Sequence, residues 1–239
     1  MSTAYDPITA KHYAAYRPSL HLPILQKCLD EKARFAYGLD VGCGTGQSAM
    51  ALSHFCEEVM AIDPSTAMLE NAIAHDQIEY RPCNGEDLEF KPNTFDIITF
   101  AGSLYYSKSQ HLLNEVVKVA KPHAFVVIYD FMILLDPTLE QLGLTPPTKQ
   151  QLNYDPEVDF SGLEMQNLQL HNKVKEEVFL EISPTNLAHL LLADNDHYAI
   201  LAKEFGEADL FEKLTERLQE TAGSDNLQIG ALIYYTLYS

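Results

Sequence analysis

Leu39-Asp40-Val41 runs directly into Gly42-Cys43-Gly44-Thr45-Gly46, so an apolar, strand-like segment ends in three glycines within five residues. Glycine reaches backbone conformations closed to other residues and lets a ligand approach the main chain, so this spacing predicts a sharp strand-to-helix turn. Such a corner also needs glycine for structural reasons alone, and a lone G-x-G has little specificity. Asp63 adds what the glycines lack. It closes the next strand-like run, EVMAI, about 20 residues after the first glycine, where a carboxylate can accept hydrogen bonds from both ribose hydroxyls. Together the loop and the acid predict an adenosine-containing cofactor.

Two details choose among such cofactors. The nicotinamide fingerprint places its third glycine at the sixth position of the loop, where this chain has Gln47, with Gly46 at the fifth. Asp40 lies two residues before the first glycine, where a carboxylate repels a pyrophosphate but pairs with a cationic amino-acid group. Charge and spacing favour a methionine-derived cofactor over NAD.

Short apolar runs alternate with helical patterns through residues 35–131. AYGLDV precedes a helix ending near Phe55, EVMAI a helix over about 65–74, and IEYRPC and FDIITFA lead to the amphipathic SQHLLNEVVKVAK and the apolar AFVVIYDF. This βαβ rhythm implies a parallel sheet with helices on both faces. Residues 1–34 look helical and carry Tyr13, Tyr16, Arg17 and Pro18. Residues 136–172 hold four prolines with little periodicity and read as an irregular cap. Then come a strand candidate, VKEEVFLEI, and a helix opened by Ser183 and Pro184 with Leu187, Leu190 and Leu191 inward. Two more helical stretches and a β-rich run, LQIGALIYYTLYS, complete the chain. The segments are thus 1–34 (helical lid), 35–131 (cofactor-binding core), 132–175 (cap) and 176–239 (the rest of the α/β domain).

LDVGCGTG, AIDPSTAMLENA, NGEDLEF, NTFDIITFAGSLYY and KVAKPHAFVVIYDF, all within 39–131, resemble the class I S-adenosylmethionine-dependent methyltransferases. The resemblance implies an α/β fold with a doubly wound, mostly parallel seven-stranded Rossmann-like sheet, an N-terminal helical segment and a cap after the fifth strand. It implies S-adenosylmethionine as cofactor. Gly42, Cys43, Gly44 and Gly46 would contact its methionine part, Asp40 the amino group and Asp63 the ribose. Pro64 and Met68 would pack near the adenine, although Met68 also reads as a plain core methionine. Asn84, Gly85 and Glu86 would meet the adenine edge, with Asp87 the alternative to Glu86, and Ala101 ends the fourth strand beside the cofactor. Asn84 stands where relatives often have Asp. Tyr13-Ala14-Ala15-Tyr16-Arg17-Pro18 is similar to the Y-x-x-Y-R-P element of methyltransferases of the trans-aconitate methyltransferase-like group, which implies that Tyr13 and Arg17 bind the cofactor by folding over it and help to close the acceptor pocket. The same stretch also reads as an amphipathic helix with packed tyrosines and a surface arginine.

A sulfonium methyl group is already activated, so such an enzyme mainly aligns nucleophile, carbon and sulfur. A carboxylate acceptor needs no base and would suit Arg17, whereas a hydroxyl or ammonium needs a proton removed. Tyr105, Tyr106 and Asp130 are the catalytic candidates by position, with pocket wall or helix cap as their alternatives. Ser103-Leu104-Tyr105-Tyr106 replaces the His-Trp pair often found after the fourth strand, a departure that leaves the family's substrate open.

Composition narrows the partners. With 34 acidic against 16 basic residues the net charge is -18, and that field repels nucleic acid and anionic membranes, leaving a small molecule as the acceptor. Histidine and cysteine spacings fit no metal site, and the four cysteines read as reduced, mostly buried thiols. The start lacks a signal-peptide layout, so a cytoplasmic protein is expected, and a monomer or homodimer is the expected state. A non-catalytic cofactor-binding protein and an NAD-dependent oxidoreductase are the competing readings.

Overall fold

The computed structural model describes residues 7–30, 32–85, 87–148, 154–165, 168–222 and 226–239. In chain order they form α1 (Pro7–Ala15), α2 (His21–Cys28), β1 (Phe35–Val41), α3 (Gln47–Ser53), β2 (Cys56–Asp63), α4 (Thr66–Leu69), β3 (Ile78–Pro82), β4 (Phe95–Ala101), α5 (Leu104–Ser107) and α6 (Gln110–Val119). There follow β5 (Ala120–Leu134), α7 (Asp136–Gln141), β6 (Leu170–Ile182), α8 (Pro184–Leu192), α9 (Asn195–Phe205), α10 (Leu210–Ala222) and β7 (Leu227–Tyr238). No helix among the described residues is long and apolar enough to cross a membrane.

The strands make one seven-stranded sheet in the order β3-β2-β1-β4-β5-β7-β6, with β7 antiparallel. β1 pairs in parallel with both β2 and β4, so the chain winds outward in one direction to β3 and in the other to β5. The reversal between β1 and β4 is a topological switch point, and doubly wound sheets bind ligands in the crevice outside the carboxyl ends of the strands at such a point. The doubly wound sheet expected from the resemblance is the sheet observed.

Two compact units divide the chain. The larger comprises Ser19–Phe131, Asn153–Glu176 and Ile233–Ser239. Its core holds Leu39, Ile62, Ile98 and Phe100 from central strands with Leu112 and Val116 from α6, each completely buried. Burying one such side chain stabilises the fold by roughly 1.5–3 kcal/mol. α6 forms as its pattern predicts, because Leu112, Leu113, Val116 and Val119 fall on one face and the Ser109 hydroxyl caps the Leu112 N–H at 3.1 Å.

The helix expected over 65–74 is only one turn, α4. Ser65 caps it, but none of its residues is buried, so no apolar stripe repays further turns. The Ile73 N–H is instead drawn to the Thr45 carbonyl at 3.1 Å, which ties this loop to the glycine turn. The thiols are all free, with Cys43 and Cys56 buried and Cys28 and Cys83 half-buried.

The smaller unit comprises Met1–Pro18, Met132–Leu152 and Glu177–Leu232, around a core of Leu139, Leu187, Leu191, Leu201, Leu214 and Leu218. Ser183 caps α8 by accepting from the Asn186 N–H at 3.3 Å, Pro184 occupies the first turn, and Leu187, Leu190 and Leu191 are buried as expected. The segment expected to be irregular from 136 opens as α7, with Pro137 in its first turn and Leu139 in the core. Its far end is strand, since β6 already starts at Leu170.

Candidate active site

The glycine turn follows β1. The Gly42 and Cys43 N–H groups both donate to the Ile62 carbonyl of β2, at 2.8 and 3.0 Å, and the Gly46 N–H donates to the Cys43 carbonyl at 2.9 Å. Gly44, at φ +55°, has nothing within 4 Å of where a Cβ would stand, so its backbone faces open space. Gly46 is the opposite case. At φ +88° a Cβ would meet the Tyr80 hydroxyl at 2.2 Å, so only glycine lets Tyr80 of β3 lie against the turn. The Tyr80 hydroxyl donates to the Ile73 carbonyl at 2.8 Å, and burial first, then the charges of Cys43 and Asp40, push its pKa up to about 12.

Two carboxylates serve this turn differently. Asp63 stands at the end of β2, where Oδ2 accepts from the Gly44 N–H at 2.9 Å and Oδ1 from the Ser65 N–H at 2.8 Å. It fixes the glycine loop and the start of α4 together. Asp40 is completely buried inside β1, with Ser48 of α3 donating to Oδ2 at 2.5 Å and Thr99 of β4 to Oδ1 at 2.8 Å. Burial pushes its pKa up to about 6, and the two hydroxyl hydrogen bonds partly oppose that rise. The charge of Asp63 adds to the rise. Asp40 therefore lies beneath the loop, and Asp63 at its rim.

The residues expected to border the adenine sit on the flank near β3. Pro64 is exposed, and Met68 is 49 % exposed, so Met68 is no core residue. The Cys83 N–H donates to the Asp63 carbonyl at 3.1 Å, which leads directly into the turn at Asn84 and Gly85. The Asn84 side-chain carbonyl accepts from the Asp87 N–H at 3.1 Å, and the Asp87 carboxylate lies 2.7 Å from His111 Nε2. A cavity of about 250 Å³ is lined by Arg81, Pro82, Cys83, Asn84, Asp87 and Glu89. Glu86 lies outside the described residues.

The crevice continues from β1 to the ends of β4 and β5. Beyond Ala101, the Ser103 hydroxyl donates to the Val41 carbonyl, and its Cβ packs where a side chain on Gly42 would stand. Tyr105 and Tyr106 follow in α5. Their rings lie 4.8 and 6.0 Å from that of Tyr154, whose hydroxyl donates to Asp130 Oδ2 and lies 3.1 Å from the Gly102 carbonyl. The three catalytic candidates Tyr105, Tyr106 and Asp130 are thus gathered around one residue that the sequence reading did not single out. Tyr154 falls in the aperiodic segment, which carries no signal of where it packs. Ser48, Thr99 and Tyr80 were missed for a related reason, since Thr99 and Tyr80 reach the turn only through sheet order and Ser48 only through the packing of α3.

Tyr13 and Arg17 belong to the smaller unit. The Arg17 guanidinium donates to the Tyr13 hydroxyl and stands 5.1 Å from its ring centroid, and Tyr13 is 40 % exposed. Tyr16 packs against the core of that unit.

Residues 39–128 match the family model described as a methyltransferase domain, and this span contains the glycine turn, Asp40, Asp63 and the tyrosines of α5. Over residues 39–128 the chain is therefore similar to methyltransferase domains. A Saccharomyces cerevisiae protein named as an S-adenosylmethionine-dependent methyltransferase is 28% identical over 119 residues, 46% of this chain and 41% of its own length. A demethylmenaquinone methyltransferase of Clavibacter sepedonicus is 33% identical over 98 residues, 39% of this chain and 40% of that protein. The chain spans less than half the length of these methyltransferase relatives. A solved structure from Anaeromyxobacter dehalogenans, described as a type II methyltransferase, superposes with a TM-score of 0.60 at 19% identity, covering 93% of this chain and 97% of that one. At that identity the likeness concerns the fold alone.

Proposed function

We propose that this chain transfers the methyl group of S-adenosylmethionine to a small molecule. The observation that carries the reading is the Asp63 carboxylate at the end of β2, accepting from the Gly44 N–H of the glycine turn after β1, beside a loop whose backbone faces open space. That arrangement fits the cofactor. Each Asp63 oxygen accepts one backbone N–H and has lone-pair capacity for a ribose hydroxyl. Gly42, Cys43, Gly44 and Gly46 would hold the methionine part, with Asp40 supplying negative charge beneath it. Pro64, Met68, Asn84 and Gly85 would border the adenine. When bound, the cofactor supplies an electrophilic methyl carbon on a sulfonium whose departure leaves a neutral thioether. The protein's part is alignment and exclusion of water.

A small acceptor agrees with the net charge of -18, which disfavours nucleic acid, and with the small molecule in the name of the Clavibacter sepedonicus relative. The Y-x-x-Y-R-P likeness offers a competing finer reading, a carboxylate acceptor held by Arg17, which requires that guanidinium to leave the Tyr13 hydroxyl.

Calorimetric titration with S-adenosylhomocysteine, with NAD in parallel, tests the cofactor. Micromolar binding of the first alone is expected, and binding of NAD, or of neither, overturns the proposal. Methyl transfer from labelled cofactor to an acceptor panel then separates an enzyme from a binding protein on the same fold.

A further inference from the structure

We propose that the acceptor presents a basic nitrogen, held as a cation by the Asp130 carboxylate and the rings of Tyr105, Tyr106 and Tyr154. This inference rests on the methyltransferase reading and names the substrate class of the same site.

The group is built at the carboxyl ends of β4 and β5, next to the glycine turn through Ser103. Its three rings approach one another at 4.8, 5.4 and 6.0 Å between centroids, tilted by 58°, 89° and 35°. The Asp130 carboxylate is held from both sides. Its Oδ1 accepts the Phe131 N–H at 2.7 Å, and its Oδ2 accepts the Tyr154 hydroxyl. The Gly102 carbonyl, 3.1 Å from that hydroxyl, adds a further negative dipole end.

Each of these features has the same sign. Aromatic faces attract cations through their quadrupole, tyrosine among them, and a carboxylate does so by charge. An anionic acceptor meets repulsion from Asp130 and gains nothing from the ring faces. Tyr106 is 79 % exposed, and Tyr105, Asp130 and Tyr154 are half-buried, so the group meets solvent while the strand ends hold its carboxylate in place. A large exposed ring repays its hydration cost poorly unless something covers it, and a cation-bearing acceptor of matching polarity does so. The net charge of -18 draws cations toward the protein in the same sense.

Three isosteric probes test this on the full chain saturated with S-adenosylhomocysteine: choline, its neutral carbon analogue 3,3-dimethylbutan-1-ol, and the anion 3,3-dimethylbutanoate. Calorimetry is expected to show choline binding about tenfold more tightly than either of the others. Asp130→Asn and, independently, Tyr106→Leu are each expected to weaken choline about fivefold while S-adenosylhomocysteine stays within about twofold. Tyr106 is too exposed for its replacement to threaten the fold. Equal binding of choline and the alcohol, tighter binding of the anion, or choline affinity unchanged in both variants overturns the inference and leaves the cofactor reading standing. Failure of S-adenosylhomocysteine to bind overturns the parent reading and this one with it.

Discussion

The glycine-turn end of the crevice and its tyrosine end are built on different principles. At the first, Asp63 meets Gly44 and Ser65, its neighbours in the strand–turn–helix pattern, through backbone N–H groups at 2.9 and 2.8 Å. At the second, Asp130 meets Tyr154, a side chain from an aperiodic segment that reaches the same strand end. The first depends on backbone conformation and tolerates little change. The second depends on side-chain chemistry and can be altered without disturbing the sheet, which suits a place where specificity varies over a fixed scaffold.

Breaking the first end should have the largest effect. Gly46→Ala puts a Cβ 2.2 Å from the Tyr80 hydroxyl at a positive φ, and a loss of about 3–4 kcal/mol in urea unfolding is expected, summing the conformational and overpacking costs. Adding Tyr80→Phe should recover part of that loss. No recovery would show that the strain lies in the backbone alone.

Asp40 sharpens the comparison by pH. Its folded-state pKa, near 6, lies above the ordinary carboxylate value, so the folded protein binds the proton more tightly than the unfolded chain. The contribution to stability is full below about pH 4 and is lost as pH rises through 6, by about 3 kcal/mol. Asp40→Asn should lack that fall. Urea midpoints for both proteins at pH 4 to 7 read the difference directly, and parallel curves would show that Asp40 is not the source.

Asp63→Ala should weaken S-adenosylhomocysteine binding by about 2 kcal/mol with the circular dichroism spectrum retained, since a charged hydrogen-bond partner is removed from the rim. An unchanged dissociation constant would sink the assignment of Asp63 to the ribose. Tyr154→Phe, at the other end, should cost stability about 1 kcal/mol and leave cofactor binding unaltered. A large loss of cofactor affinity there would mean that the two ends are not separable.

Much of this is legible along the chain because it is local. The positive φ of the glycine turn, the Ser109 and Ser183 caps, the apolar faces of α6 and α8 and the alternation from β1 to β5 all depend on residues a few positions apart. The reading fails where a local pattern lacks burial to sustain it, as in the helix expected over 65–74, which stops at Leu69. It also fails to see α7, because prolines read as loop signals while Pro137 sits in a first turn, where its missing N–H costs nothing.

The parallel α/β core, the glycine turn and the acid at the end of β2 can be read along the chain, since strand period, glycine conformation and strand-end position are written in short spacings. That Ser48 and Thr99 satisfy Asp40, that Tyr80 lies against Gly46, and that Tyr154 brings Asp130 to the tyrosines of α5 follows from packing alone. Those partners come from neighbouring strands, from α3 and from an aperiodic segment. The order of strands in the sheet, a property of the whole packed core, is what brings them together.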